Sequence, residues 1–470
     1  MLHFRAVLLV LAAVVGLSAF FHGGVLADQW NVAIAALGTL GLLCAAFLWH
    51  RAGFSTFDRA VATLLALFVV YIAFQLAPLP SEILSVISPR RATHLQELEA
   101  LGFKTSVSPL SLFPSVTFVH LLRVCAAIAV FLLIARIAAS DRKASWRLVA
   151  PIVAIAALEA SLGLAQVHLQ QEIRPARGTY VNNNHFSGLL EMALPFAVIY
   201  PVALIRRNRR SWDIPIKTAV VASLVAAVAA LIFSGILFSL SRMGFVSSLF
   251  SLAFMALLAP VVRMVGTATG SRTRLALVIM SIVAALLVCV LALPTDTLIG
   301  RFAQLAATET ISQEGRLALW EESWELVGEY PLFGVGLGAY HSAYIKHKVS
   351  APLLDDDYAH NDYLQLLVEL GATGFAIVAA VVFLVFSNAL AAAHANTGSD
   401  SRLFALACAG SLAAILLHSC ADFNLYIPAN VLCFSWILAL SAKVGLPSRT
   451  SSASNSRLFR RDETIRDDSP

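Results

Sequence analysis

The stretch Thr218-Ala-Val-Val-Ala-Ser-Leu-Val-Ala-Ala-Val-Ala-Ala-Leu-Ile-Phe-Ser-Gly-Ile-Leu-Phe-Ser239 carries no charged side chain. A helix rises about 1.5 Å per residue, so about 20 apolar residues cross the hydrocarbon core of a bilayer. Behind it, Leu240-Ser241-Arg242 leads into a second apolar run with almost no loop between. Working outward gives twelve candidate spans, at roughly 5–21, 31–49, 60–78, 117–138, 148–167, 185–205, 218–239, 243–262, 275–293, 362–386, 402–420 and 426–446. The first reads as a retained helix, because its n-region has one arginine and no small-x-small cleavage site follows.

Composition agrees. Of 470 residues, 59% are apolar and 13% charged, about half the charge of a soluble domain, and the mean hydropathy is +0.79. An ordinary cytoplasmic enzyme, a disordered protein and a secreted disulfide scaffold are excluded. Cys44, Cys125, Cys289, Cys408 and Cys433 lie inside apolar runs and Cys420 at the end of one, with no CxxC pair; they read as small buried residues. The net charge of +5 reflects topology, not nucleic acid.

Twelve spans put both termini on one side. If that side is cytoplasmic, 22 of the 33 basic residues fall on inner segments, as the positive-inside rule asks. Two outer loops are then long, about 79–116 and 294–361, and long connections are rarely idle. The chain divides into N-terminal spans at 1–168, a second membrane region at 169–446, and a Ser-, Arg- and Asp-rich cytoplasmic tail at 447–470 that reads as disordered. The expected fold is an all-α polytopic membrane protein of about twelve transmembrane helices. An amphipathic helix is expected in the outer loop between spans 9 and 10. Ser312 would cap it and Pro331 would end it, with Leu317, Trp320, Trp324 and Val327 as its apolar stripe.

The polar residues left over gather on the outer face. Arg242 sits at a span boundary, where it either snorkels to headgroups or binds an anion such as a lipid phosphate. Arg316, near the start of the amphipathic helix, is either a solvated ion-pair partner or part of an anion site at a helix N-terminus. Pro331-Leu-Phe-Gly334-Val-Gly336-Leu-Gly338 allows close backbone approach but is neither a P-loop nor a dinucleotide fingerprint. Asp355-Asp356-Asp357 fits a divalent cation or a solvated loop equally. His360 is either a general base or an interfacial histidine bonded to backbone. Glu369, two turns into the tenth span, must face protein. Arg177, Asn182, Asn184 and His185 offer amides and a ring suited to sugar hydroxyls, or simply a turn-rich loop. Asp422 would orient a histidine or cap a helix. Their convergence on one face suits a lipid-linked anionic sugar donor.

In these residues the chain resembles the O-antigen ligase/polymerase superfamily of bacterial membrane glycosyltransferases. The resemblance rests on Gly178-Thr-Tyr-Val-Asn-Asn-Asn184-His-Phe-Ser-Gly188 with Glu191 and Pro195, on Ser241-Arg242-x-Gly244, on Gly315-Arg316 with Trp320 and Pro331, and on Gly334-Val-Gly-Leu-Gly338. It continues in His360-Asn361-x-Tyr363-Leu-Gln365 with Glu369-Leu-Gly371 and in Asp422-Phe423, covering about residues 170–430. The resemblance implies a donor glycan on undecaprenyl pyrophosphate and a lipid, glycan or protein acceptor. Transfer would occur at the outer face of the bacterial cytoplasmic membrane, with no metal, no cofactor and no nucleic acid. It maps pyrophosphate binding onto Arg242 and Arg316 and the general base onto His360. Arg177, Asn182, Asn184, His185, Asn361, Glu369 and Asp422 become glycan-binding or supporting residues. Ligase, repeat-unit polymerase and protein O-oligosaccharyltransferase share that donor site. A lipid-linked sugar transporter is the alternative of a different class; it is disfavoured because the polar groups lie at one face and not at mid-membrane. A non-catalytic assembly subunit would be signalled by loss of Arg242, Arg316 or His360, and all three are present.

Overall fold

The structure is a computed structural model. It describes residues 2–48, 56–103, 107–140, 145–169, 175–208, 214–258, 316–349, 357–395 and 398–444. The expected ninth span at 275–293, the Ser312 cap and the 447–470 tail lie outside these residues.

The described residues are almost entirely helical. They form α1 (Leu2–Phe20), α2 (Ala27–Leu48), α3 (Thr56–Leu76), α4 (Ser81–Ile87), α5 (Pro89–Ala100), α6 (Pro114–Ser140), α7 (Ser145–Leu169), α8 (Asn183–Asn208), α9 (Ile216–Phe238) and α10 (Arg242–Leu258). A helix at 316–329 is α11. It is followed by α12 (Tyr340–Tyr344), α13 (Asp362–His394), α14 (Ser399–His418) and α15 (Pro428–Lys443). Seven of these, α3, α6, α7, α8, α9, α13 and α14, are long and apolar enough to cross a membrane, and three shorter apolar helices lie in α1, α10 and α15. The protein is thus polytopic. Helices α8 and α14 form the centre, packed on each other and on α10, with α7 and α9 closing on α8 and α13 and α15 on α14. On the far side, α6 packs on α2, α3 and α15.

The described parts of the two expected outer loops, within 79–116 and from 316 onward, dock on one another. The segment at 79–116 holds α4, α5 and a minimal antiparallel pair, Leu79–Pro80 with Val107–Ser108, a small β element in a fold expected to be wholly helical. Arg91 is buried and clamps this lobe, donating from Nε to Pro109 O at 3.1 Å and from Nη2 to Ser108 Oγ at 2.7 Å. Arg90 pairs with Glu329 at 3.0 Å, joining α5 to α11.

The buried face of α11 differs from the expected stripe. Leu317 and Trp324 are each 57% exposed, while Leu319, Ser323, Leu326 and Tyr330 are buried. Ser323 sits in the middle of the true inner face, bonded to Leu319 O at 2.6 Å and to the Tyr340 hydroxyl at 2.7 Å. A polar residue at a core position hid that face from the apolar periodicity.

Helix α13 is broken within the membrane region. Gly371 adopts φ 60, ψ −175, a conformation essentially confined to glycine. The break frees backbone groups that lipid cannot satisfy. The glycine-rich segment satisfies them. Val335 N donates to Val368 O at 3.0 Å, Gly336 N to Glu369 O at 3.0 Å, Ala372 N to Pro331 O at 2.8 Å and Thr373 N to Leu332 O at 3.2 Å. Buried Gln75 completes the seal, donating to Phe333 O at 2.7 Å and Glu369 O at 3.0 Å while accepting from Leu337 N at 3.2 Å. The glycine spacing is therefore the edge of a broken helix, docked by backbone.

Candidate active site

The polar centre lies where α8, α13 and the α14–α15 connection meet. His360 precedes α13 and has φ 48, a left-handed conformation that histidine tolerates better than most residues. Its Nδ1 stands 3.5 Å from Asp422 Oδ1, and His185 Nε2 reaches the same oxygen at 3.6 Å. Asp422 and His185 are buried, whereas the His360 side chain is 28% exposed. Of the two imidazoles, His360 alone is open to a substrate. Phe423 fixes both rings edge-on, with centroids 4.5 Å from His185 and 4.9 Å from His360, and Tyr358 stacks on Phe423 at 4.1 Å.

Burial alone would raise the Asp422 carboxyl, but the imidazoles of His185 and His360 beside it outweigh burial and hold the group well below the usual carboxylate range. Phe423 N adds a donor to Oδ1 at 2.8 Å. The expectation that Asp422 orients a histidine thus has its geometry, with two histidines.

Neighbouring residues serve as scaffold. Asn361 caps α13, its side chain accepting from Tyr363 N at 3.0 Å and Leu364 N at 3.1 Å. Asp362 is buried and accepts from Ser419 Oγ at 2.7 Å, tying α13 to the end of α14. Glu369 is buried under Gly338 N at 2.8 Å, the Tyr426 hydroxyl at 2.7 Å and Gln365 Nε2 at 3.3 Å; it holds the glycine loop. Asn182 Oδ1 accepts from Asn184 N at 2.7 Å in an Asx turn that starts α8. Asn184 O accepts from Ser187 Oγ at 2.7 Å, and Arg177 is exposed.

The two arginines are half-buried at helix starts. Arg242 opens α10, and its turn is anchored to α8 by Asn183 Nδ2 donating to Ser239 O at 2.7 Å. That places the turn beside the helix start that carries His185. Arg316 opens α11 one turn before Trp320, whose Nε1 donates to Ala359 O at 2.8 Å, next to His360. Separate elements thus bring both arginines to the end of the bundle that holds His360.

Sequence reading assigned no role to two buried carboxylates, Glu191, named only within the resemblance, and Glu159. Glu191 in α8 faces His418 Nδ1 at 3.0 Å and accepts from the Ser247 hydroxyl of α10. Glu159 in α7 accepts from Thr179 N at 2.9 Å, with Thr179 Oγ1 at 2.7 Å. Both interrupt apolar runs, the signal that singled out Glu369. Of the acidic run, Asp355 and Asp356 lie outside the described residues, and Asp357 pairs with His341 at 3.3 Å. Among the described residues no group of three or more His, Cys, Asp or Glu side chains gathers as a metal site.

No curated protein matches the chain. A family described as O-antigen ligase matches residues 227–379, about a third of the chain. The matched segment holds Arg242, Arg316, His360 and Glu369; His185 and Asp422 lie outside it. By that match, residues 227–379 of the chain are similar to the O-antigen ligase-related superfamily.

Proposed function

We propose that this protein transfers a glycan from an undecaprenyl-pyrophosphate-linked donor to an acceptor hydroxyl at the outer face of the bacterial cytoplasmic membrane. The family match gives the coarser frame, a membrane glycosyltransferase-like activity in surface polysaccharide synthesis. The observation that carries the finer reading is the exposed His360 ring, backed by buried Asp422 at 3.5 Å and flanked by two arginine-bearing helix starts.

In the proposed reaction the acceptor oxygen attacks the anomeric carbon. The bond from that carbon to the pyrophosphate oxygen breaks, and the pyrophosphate leaves with the electron pair. Asp422 at Nδ1 fixes the His360 tautomer and leaves Nε2 to take the hydroxyl proton. Arg242 and Arg316 stabilise the charge growing on the leaving group.

Arg242→Gln and Arg316→Gln are each expected to lower transfer by at least ~10²-fold, the order seen when one preorganised donor to a developing anion is lost, in protein that inserts and folds as wild type. Wild-type transfer in either variant sinks the pyrophosphate assignment. The scheme draws on no metal, so EDTA is expected to leave the rate unchanged; inhibition reversed by calcium or zinc would bring Asp355–Asp357 into the reaction.

We favour the ligase over the polymerase and protein-glycosylating readings, and deletion in the host separates them. Long polymer stranded on the carrier lipid means a ligase, and single repeat units mean a polymerase. Unglycosylated protein acceptors with normal polysaccharide mean an O-oligosaccharyltransferase.

A further inference from the structure

An open cleft lies between α2, α3, α6, α13 and α15. Its walls are apolar, with Phe68, Phe131, Val382 and Phe434 among them, and the polar side chains His120, Arg123 and Tyr426 also line it. We propose that this cleft is a second lipid site. It would take the hydrocarbon chain of a lipid with an anionic phosphate head, and Arg123 would hold that head.

The observations converge on Arg123. It lies nine residues into α6, about 14 Å along the helix from its first residue. A cation inside a spanning segment is costly and marks a pathway or a site. Arg123 Nη1 meets His120 Nε2 at 3.4 Å, while His120 Nδ1 lies 3.1 Å from Val116 O. A carbonyl only accepts, so Nδ1 carries the proton and Nε2 is a neutral acceptor. That partner supplies no countercharge. The guanidinium lies 5.4 Å from the Trp30 ring centroid, and its Nε is buried without a hydrogen-bond partner. Among the described residues no carboxylate pairs with Arg123. A whole positive charge with a spare donor therefore borders a long apolar cleft. Free phosphate would use the charge but not the walls, and a neutral lipid would use the walls but not the charge. An anionic phospholipid uses both.

The cleft also reaches the candidate site. Tyr426, on its lining, packs edge-on to Tyr358 at 5.8 Å, and Tyr358 stacks on Phe423, which holds His360. Arg242 stands on α10, packed chiefly on α8 and α14, while Arg123 stands on α6, packed chiefly on α2, α3 and α15. The two cations stand on different helix groups. If the glycosyl-transfer reading holds, the lipid in this cleft is on the acceptor side of the reaction; the site itself does not depend on that reading.

The test uses full-length protein in nanodiscs, without donor. Phosphatidylglycerol carrying a diazirine in its acyl chain is photo-crosslinked, and labelled peptides are mapped. Labels are expected on the cleft-lining stretches around Phe68, Val124, Phe131 and Phe434, at least about tenfold above those from phosphatidylcholine with the same chain, a difference of about 1.4 kcal/mol. Arg123→Gln is expected to lower the cleft labelling about tenfold, Arg123→Lys to keep most of it, and Lys217→Gln, at the exposed start of α9, to leave it unchanged. Labelling of exposed Val220 and Leu224 on α9 reports that each variant is folded. Should Arg123→Gln misfold, Ala127→Trp fills the cleft and is expected to cut the same labels. Equal labelling by the two lipids, or labelling indifferent to both Arg123→Gln and Ala127→Trp, overturns the proposal. Because no donor is present, failure of glycan transfer elsewhere would leave this result standing.

Discussion

His360→Ala is expected to bind donor as wild type does and to lose turnover by ~10²–10⁴-fold, the contribution of one positioned general base. The ring is the exposed member of a pair of histidines that share one carboxylate oxygen, at 3.5 and 3.6 Å. These distances are long for hydrogen bonds, and catalytic contacts commonly tighten only with substrate bound. Asp422→Asn is expected to lower turnover as well, because an amide no longer enforces the Nδ1–H tautomer. Against the effect of burial, the two imidazoles beside it hold Asp422 well below the usual carboxylate range, so it meets the ring as an anion. Turnover retained in His360→Ala, or donor binding lost with chemistry intact at high donor, overturns the base assignment.

The same carboxylate links pH to stability. Its folded value lies below its unfolded one, so its stabilising contribution is complete above the ordinary aspartate range. It is lost as pH falls through that range toward the depressed folded value.

How far these features were legible depends on the range of the interactions that make them. A span declares itself within about 20 residues, and among the described residues helices stand where apolar runs were read. The buried face of α11 failed for a local reason: Ser323 occupies a core position and borrows its partner, Tyr340, from the next element. Asn182 was read as a sugar contact or a turn former and Asn361 was drawn toward a glycan by resemblance; an asparagine before a helix is first a cap or turn former. Glu191 and His418 meet across 227 residues of sequence. The cost of a carboxylate in an apolar run was readable, but the identity of its partner was not. His185 and Asp422 were each singled out, yet only the packing of α8 against the α14–α15 connection brings them to one oxygen.

Gly371→Ala and Gly334→Ala are expected to be the most damaging substitutions outside the proposed site, each costing at least ~3–5 kcal/mol. Strain in a backbone region almost confined to glycine accounts for about 1–3 kcal/mol. The rest comes from contact. A Cβ on Gly371 would lie 2.4 Å from the Leu332 carbonyl carbon, and one on Gly334 would lie 2.4 Å from the Glu369 carbonyl carbon and oxygen. These are backbone atoms with no rotamer to yield, so the 331–336 segment must lift from the broken helix. Its four backbone bonds then weaken, at about 0.5–1.5 kcal/mol each, and the carbonyls left behind face a medium without water. Gly328 offers the control. It lies in α11 with nothing within 4 Å of an added Cβ, and alanine there should be neutral or stabilising by up to ~1 kcal/mol. Thermal unfolding of the purified protein, followed by size-exclusion fluorescence, checks the contrast. A midpoint drop below ~2 °C for Gly371→Ala would be too small for the loss of this seal. The seal also bears on the proposed chemistry, because Glu369 takes Gly338 N and Tyr426 OH on the same carboxylate oxygen. Tyr426 in turn backs the Tyr358–Phe423 stack on which His360 rests. Lifting the glycine segment is therefore expected to loosen His360 before the bundle unfolds, so transfer in these variants should fall at temperatures where their helical content is still intact.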